Sequence, residues 1–368
     1  MEILNIEKAE AAKLRSKVQW IEDGEKCTSY FLGLEKHRAV SNTVFRIKNN
    51  EGIEIIKETE IVEVFANHFG NVYNNKINNN EEIENNMNKF LENVTLKKIK
   101  DIDCAEIDKE ISIEELKLSL NTLNKKSSPG YDGFTMEFYN IYFEDIKELL
   151  LEFYNACFEK GALDEQTQLG LISLIHKGNS LARDEVKYWR PITLSNIDYK
   201  IIAKLLANRI KKVMNEIVGK QQQGFIKNRN IANIIRAIDD ILEYERIKNL
   251  DNLLFVIDFK QAFDKINNHF ILKVFEKFGF GKNFLRWLET ILRNRKSCVK
   301  NGGHLSSFFE VHCGVKQGCP IAPLLFVLGA EILAQNIIQD QSIVGVQYPN
   351  QTNSAKIQQF ADDTTFFL

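Results

Sequence analysis

Proline is scarce in this sequence, five residues in 368, so little interrupts long helices. Cysteine is sparse as well. The six (Cys27, Cys104, Cys157, Cys298, Cys313 and Cys319) form no CxxC pair and no dense framework, which excludes a disulfide scaffold and points to a reduced, intracellular protein. No long hydrophobic run is present. The longest uncharged apolar stretch, Ile321 to Ala330, has ten residues and contains a proline. A spanning helix needs about 20, so a membrane protein is not expected. The opening Met1-Glu2-Ile3-Leu4 lacks a basic region followed by an apolar one, and no signal peptide is expected. Neither charge sign dominates: 48 Lys and Arg against 50 Asp and Glu give a net −2. A neutral total leaves nucleic-acid binding open, because binding depends on where charge sits. What is there, 44% hydrophobic and 27% charged residues, is an ordinary globular composition that excludes global disorder. The length suits two ordinary domains or one large one, at roughly 150 residues each.

The first hundred residues differ from the rest. Ten asparagines fall between 71 and 93. Asparagine is a poor helix and strand former, so this stretch reads as a connector. From Ser112 the chain is well patterned. Ser112-Ile113-Glu114-Glu115 is a capping box that opens a helix with Leu116, Leu120 and Leu123 on one face. A second helix carries Ile146, Leu149, Leu150, Phe153 and Ala156. Leu171–Ile175 reads as a strand, and Trp189–Leu194 as an extended segment running into Ser195, a plausible N-cap. Tyr199, Ile202, Leu205, Leu206, Ile210, Val213 and Ile217 then recur at helical spacing. Leu253–Ile257, apolar throughout, reads as a strand buried on both faces and central in a sheet. Helices follow through Phe270–Phe278 and Phe284–Leu292. Asn301-Gly302 marks a hairpin turn. A helix from about Pro323 to Gln339 and a hairpin from Ile357 onward complete the pattern.

Two sites along this pattern hold carboxylates where charge is costly. Asp258 directly follows the apolar strand, either as an N-cap for the next turn or as an acid at the mouth of a sheet. Asp362-Asp363 sits at the hairpin tip, where two adjacent like charges favour a cation. Asp239-Asp240, by contrast, lies in an amphipathic helical context and reads as a solvated face. Three carboxylates at adjoining strand ends would hold two Mg²⁺ about 3.5–4 Å apart, the arrangement used for nucleotidyl transfer. Phe263 would stand beside such a site as a flat wall, or would simply pack in the core. In Gly314-Val315-Lys316-Gln317-Gly318 the glycines let backbone approach a ligand, and Gln317 could face a nucleotide or template base. Arg190 and Lys177 could neutralise a triphosphate. His304, His312, Cys313 and Cys319 follow no common zinc spacing. Residues 200–229 carry eight Lys or Arg against Glu216 alone, and 282–300 carry six against Glu289. A one-signed run in a neutral protein suggests a polyanion contact, here through Lys204, Arg209, Lys211, Lys212, Lys227, Arg229, Arg293 and Arg295.

Taken together these strings resemble the reverse transcriptase domain of non-LTR (LINE-type) retrotransposons. The resemblance rests on seven blocks in the family's order: KSSPGYDGF at 126–134, LISLIHKG at 171–178, YWRPITLSNIDYKIIAKLLANRI at 188–210, QQGFIKNRNI at 222–231, FVIDFKQAFDKI at 255–266, GVKQGCPIAPLLF at 314–326 and FADDTTFFL at 360–368. The segment from Leu14 to Arg38 also looks like the stretch that precedes the polymerase in these elements. The resemblance implies an α/β (α+β) right-hand polymerase: a helical N-terminal extension over 1–110 with the Asn-rich connector at 71–93, fingers over 111–250, and a palm over 251–368. It implies an RNA-directed DNA polymerase that adds dNTPs to a primer 3′-hydroxyl on an RNA template, with DNA as primer or target. Asp258, Asp362 and Asp363 fall on the family's carboxylates for two Mg²⁺. Phe263 falls on the position that excludes a ribose 2′-hydroxyl, Gln317-Gly318 on the template and nucleotide loop, and Arg190 on a fingers residue near the triphosphate. Lys177 stands where the family often has Pro-Lys. The acidic block begins with Phe360 where many relatives have Tyr. Cytoplasm and nucleus are the expected locations. Leu368 falls in the second strand of the catalytic hairpin, so the thumb is expected to be missing. The alternatives are a truncated, inactive element remnant that only binds RNA, and a group II intron-type or domesticated enzyme.

Overall fold

The computed structural model describes residues 43–74, 81–125, 127–178, 181–249, 253–347 and 354–367. The stretch from Leu14 to Arg38 lies outside them. Mixed helix and sheet, as expected, is what the chain forms. A short antiparallel pair comes first, β1 (Ile47–Lys48) and β2 (Glu54–Ile55). Its turn is closed by the Asn49 side chain, which accepts from the Glu51 and Ile53 amides. Helix α1 (Glu58–Tyr73) buries Ile61, Val62, Phe65, Ala66 and Phe69, the one-sided spacing of an amphipathic helix. Helix α2 (Glu81–Glu92) corrects the connector reading of 71–93. Met87, Phe90 and Leu91 share a helical face that packs into the core, and this outweighs the weak asparagine preference. Residues 75–80 of that stretch lie outside the described ones.

Helix α3 (Ile113–Asn121) starts where the capping box places it: the Ser112 side chain accepts from the Glu115 amide at 3.3 Å, and Leu116 and Leu120 are buried. Helix α4 (Met136–Lys160) ends at Gly161, whose φ of +68° suits the left-handed cap. Strands β3 (Leu169–His176) and β4 (Trp189–Ser195) lead into helix α5 (Ile197–Lys211), whose N-cap position is held by Asn196, not Ser195, with no side-chain capping bond. Helix α5 is buried nearly all round. Helix α6 (Ile231–Lys248) exposes Asp239 and Asp240 to solvent. Strand β5 (Leu254–Ile257), helix α7 (Asn268–Phe278), helix α8 (Lys282–Leu292) and strands β6 (Arg295–Asn301), β7 (His304–Leu305) and β8 (Phe309–Val311) follow. Helix α9 (Ala322–Gln339) comes next, then β9 (Val346–Gln347), β10 (Ser354–Ala355), β11 (Ile357–Phe360) and β12 (Asp363–Phe367).

By contact the chain divides into two compact units, and they are not the consecutive segments read from the sequence. The smaller comprises the described residues up to Phe69 with Ile172–Ile192 and Cys298–Phe308. Its core joins Phe65 to Trp189, ring edge to face at 6.2 Å. The larger comprises Gly70–Leu171, Thr193–Ser297 and the described residues from Phe309 onward. Its core gathers α3, α5, α7, α8 and α9. Among the described residues α9 alone is long and apolar enough to cross a membrane, and its Leu324, Leu325, Val327, Leu328 and Ile332 are buried in that core.

One sheet runs in the order β4-β3-β6-β7, with β8 also paired to β6, Arg295 opposite Val311. The other that matters here is three-stranded, β11-β12-β5. It corrects the reading of 253–257. Among the described residues strand β5 is an edge strand, paired only with β12, and Leu254, Phe255 and Val256 are exposed. A short apolar run does not by itself distinguish a central strand from an edge.

Candidate active site

The β11–β12 hairpin pairs Phe360 with Asp363, so Ala361 and Asp362 form its tip. Strand β12 pairs antiparallel with β5, ending at Thr364 opposite Ile257. The next residues on the two strands are Asp363 and Asp258. Register alone therefore brings together two acids more than a hundred positions apart in sequence, with Asp362 adjoining. Asp258 and Asp363 are exposed and Asp362 is half-buried. Burial raises the Asp362 carboxyl above the usual carboxylate range, and the charges of Asp363 and Asp258 push it the same way. Both turns beside the acids hold left-handed backbone at ordinary residues, φ +58° at Ala361 and +59° at Gln261. Such a conformation costs an L-residue roughly 1–2 kcal/mol, so neighbours must hold it.

Among the described residues no three His, Cys, Asp or Glu side chains are gathered closely enough to enclose a metal ion. The acids form an open edge instead of a closed cage. Its donor set is oxygen only, and its like charges repel. That chemistry fits a hard divalent cation which keeps water and substrate oxygens in its shell. Of the candidate zinc ligands, His304 Nε2 lies 2.7 Å from a Glu58 carboxylate oxygen and His312 Nε2 2.9 Å from one of Glu310.

The aromatic and loop residues close around a fourth carboxylate, one that stands outside the sequence expectations. Asp264, 4% exposed, accepts from the Tyr73 hydroxyl at 2.9 Å and from the Gln317 amide nitrogen at 2.9 Å. Burial and the Asp264 charge push the Tyr73 phenol well above its usual value. Backbone bonds from Gly314 to Ile266 and from Val315 to Phe263, each 2.7 Å, fasten the 314–318 loop to the Phe263 turn. Gly314 is obligatory: its φ is +77°, and an added Cβ would stand 2.4 Å from the Asp264 carbonyl oxygen. Gly318, also in the left-handed region at +104°, gives the loop its second bend. Phe263 is half-buried with its ring stacked on Phe326 at 4.7 Å, which fixes its plane. The Gln317 side chain is committed to Asp264. Lys316, beside it, faces inward: its amine donates to the Gln168 carbonyl at 2.8 Å over the Tyr199 ring, and burial, then the Arg295 charge, push it down to about 7.

Lys177 and Arg190 belong to the smaller unit and are both exposed. The Lys177 amine donates to the Lys187 carbonyl at 2.6 Å. The basic residues divide sharply. Lys211, Lys212, Lys227 and Arg293 are exposed, and Lys204 is half-buried. Burial, then Lys211, lowers the Lys204 amine. Arg209, Arg229 and Arg295 correct the nucleic-acid reading. Arg209 is 1% exposed and all five of its N–H donors are taken, by both Glu115 oxygens and the carbonyls of Ile107, Lys109 and Glu110. Arg229 donates to the carbonyls of Val218, Gly219 and Gln222. Arg295, 2% exposed, donates to the carbonyls of Leu292 and Gly314 and to Asn268. A count of like charges along sequence does not separate arginines that cap buried carbonyls from those that face water.

Comparison with known proteins bears on this geometry. A family model described as reverse transcriptase (RNA-dependent DNA polymerase) matches residues 175–368. Over 323 residues, 88% of this chain, the sequence is 25% identical to "Transposon TX1 uncharacterized 149 kDa protein" of Xenopus laevis, covering 24% of that protein. It is 25% identical over 256 residues (70% of this chain, 23% of the relative) to "Retrovirus-related Pol polyprotein from type-2 retrotransposable element R2DM" of Drosophila melanogaster. It is 29% identical over 213 residues (57% and 22%) to "Probable RNA-directed DNA polymerase from transposon X-element" of the same organism. The chain thus spans about a quarter of the length of these relatives. The matched segment holds the three adjoining acids, the Phe263 turn and the glycine-bent loop, and covers more than half of the sequence: the chain belongs to the reverse transcriptase (RNA-dependent DNA polymerase) family.

Proposed function

We propose that this chain carries the polymerising centre of a non-LTR retrotransposon's RNA-directed DNA polymerase, with β11, β12, β5 and their acids as the palm and the region of 111–250 as fingers. The observation that carries the reading is the β12–β5 register, which sets Asp363 beside Asp258 with Asp362 at the tip. The family uses divalent metal ions. Here Asp258, Asp362 and Asp363 would hold two Mg²⁺, which when bound ease deprotonation of a primer 3′-hydroxyl and offset charge on departing pyrophosphate.

The chain's own residues do the rest by placement. The 3′-oxygen forms a bond to the α-phosphorus of the dNTP, the bond from that phosphorus to the bridging oxygen breaks, and pyrophosphate leaves. Much of the rate in such a transfer comes from holding the partners in line. Phe263, its plane set by Phe326, serves as the wall against the sugar and disfavours a 2′-hydroxyl. Asp264 and Tyr73 hold Gln317, so the Gln317-Gly318 backbone, more than the Gln317 side chain, lines the template and nucleotide. The exposed Lys211, Lys212, Lys227 and Arg293 contact RNA and DNA phosphates, which give affinity without sequence preference.

Primer extension on an RNA template with dNTPs and Mg²⁺ tests the reading. The wild-type chain is expected to bind RNA and to extend weakly, and that extension should be lost in Asp362→Ala. RNA binding without extension, unaffected by Mg²⁺ or by Asp362→Ala, would refute it in favour of a binding-only protein.

A further inference from the structure

We propose that Gln222 is a positioning residue for the acid edge: its side-chain amide clamps the Ala361 peptide in the turn that aims Asp362 and Asp363, and so sets the edge's affinity for divalent cations. The inference rests on reading those acids as the metal-binding edge. Gln222 is fully buried. Its Oε1 accepts from the Ala361 amide at 3.0 Å and from the Gly224 amide at 2.8 Å, and its Nε2 donates to the Ala361 carbonyl at 3.3 Å. One side chain thus takes both backbone groups of the left-handed residue directly before Asp362. The segment also lies along β11 as a parallel bridge, Gln222 opposite Gln359. There the Gln359 amide donates to Gln221 at 2.8 Å and the Gln223 amide to Gln359 at 2.9 Å.

The flanking segment is tied down separately. Glu331, buried on α9, accepts from the Gly219 amide at 3.1 Å and from Gln221 Nε2 at 2.8 Å. Arg229 donates to the Gln222 carbonyl at 2.7 Å and to the Val218 carbonyl at 2.9 Å. Gly224 completes the fit, since a Cβ there would stand 2.5 Å from the Ala361 nitrogen. The chemistry selects an amide: two N–H groups need an acceptor oxygen and one carbonyl needs a donor. An ionised Glu supplies the first and lacks the second.

The test uses the full chain with Gln222→Ala, Gln222→Glu and, as control, Gln221→Ala, which loosens the same segment without touching Ala361. Hydrogen exchange is followed in the peptide holding Ala361 and Asp362, Mn²⁺ binding by electron paramagnetic resonance, and unfolding by the thermal midpoint. Gln222→Ala should speed exchange at Ala361 and weaken Mn²⁺ binding about 10–100-fold, the usual effect of removing a group that orients metal ligands. Gln222→Glu should fall between wild type and Gln222→Ala. Gln221→Ala should lower the midpoint and leave Mn²⁺ affinity in place. Wild-type exchange and affinity in Gln222→Ala would overturn the proposal, as would an equal loss of affinity in Gln221→Ala. Accelerated exchange in Gln222→Ala together with Mn²⁺ binding that Asp362→Ala does not change would sink the metal reading and leave the clamp standing.

Discussion

Replacing Arg209 by methionine separates a structural arginine from a nucleic-acid contact. Methionine keeps the aliphatic length on α5 and removes all five donors. Glu115 then keeps a carboxylate with no counter-charge from this side, and the carbonyls of Ile107, Lys109 and Glu110 lose their donor. Breaking a buried charge pair costs about 3–5 kcal/mol. The Glu115 side chain is 32% exposed against 2% for Arg209, so water recovers part of the loss and the low end applies. At a urea slope of roughly 3 kcal/mol/M, a loss of about 3 kcal/mol lowers the unfolding midpoint by about 1 M. Alanine at exposed Lys211 or Lys212 should stay within roughly 0.5 kcal/mol of wild type. RNA binding should show the opposite pattern. Each lost phosphate contact lowers the slope of log affinity against log salt by about 0.7–0.9, and this should appear in Lys211→Ala with Lys212→Ala but not in Arg209→Met. An Arg209→Met protein of wild-type stability whose salt slope falls by nearly one unit would show that the guanidinium faces phosphate after all.

Lys316 gives the alkaline side of the stability profile a definite sign. Its amine, pushed down to about 7 in the folded protein, binds its proton up to about 10.4 when unfolded, so the unfolded state holds more protons between those values and stability should rise with pH across them. Lys316→Met should remove that rise; equal pH dependence in urea midpoints of the two proteins at pH 7 and pH 9.5 would refute the assignment. Gly314→Ala should cost about 2–4 kcal/mol, from left-handed strain together with overpacking against Asp264, and an unchanged thermal midpoint would show that the loop has room.

Local chemistry was the legible part of this sequence. Ser112 reads as a cap because its partner lies three residues away, and the helices of the larger unit are marked by apolar spacing. The acid edge was legible for a related reason: β5 is a short apolar run directly followed by Asp258, and the hairpin tip is marked by adjacent aspartates. What stayed hidden depends on partners far along the chain. Arg209 meets Glu115 across 94 positions, and Gln222 meets Ala361 across 139. A basic run and a string of glutamines carry no mark of such bonds. Asp264 likewise stands beside Phe263 in sequence, yet its partners Tyr73 and Gln317 come from distant segments. The edge position of β5 was missed because pairing, and not composition, decides which strand is covered.

That edge position also orders events in time. Strand β5 finds its partner only when Thr364 has been made, more than a hundred residues after Ile257. At roughly 5–20 residues per second the ribosome takes about 5–20 seconds to cover that distance. Through the interval Leu254, Phe255 and Val256 stand in an unpaired strand beside helices that already have local contacts to fold on. The β11-β12-β5 sheet is therefore expected to be the last part of the larger unit to form, and the nascent chain is most open to misassociation just before its acids come together. Slower synthesis lengthens that exposure, and a chaperone that shields β5 until the hairpin emerges should raise the yield of folded protein.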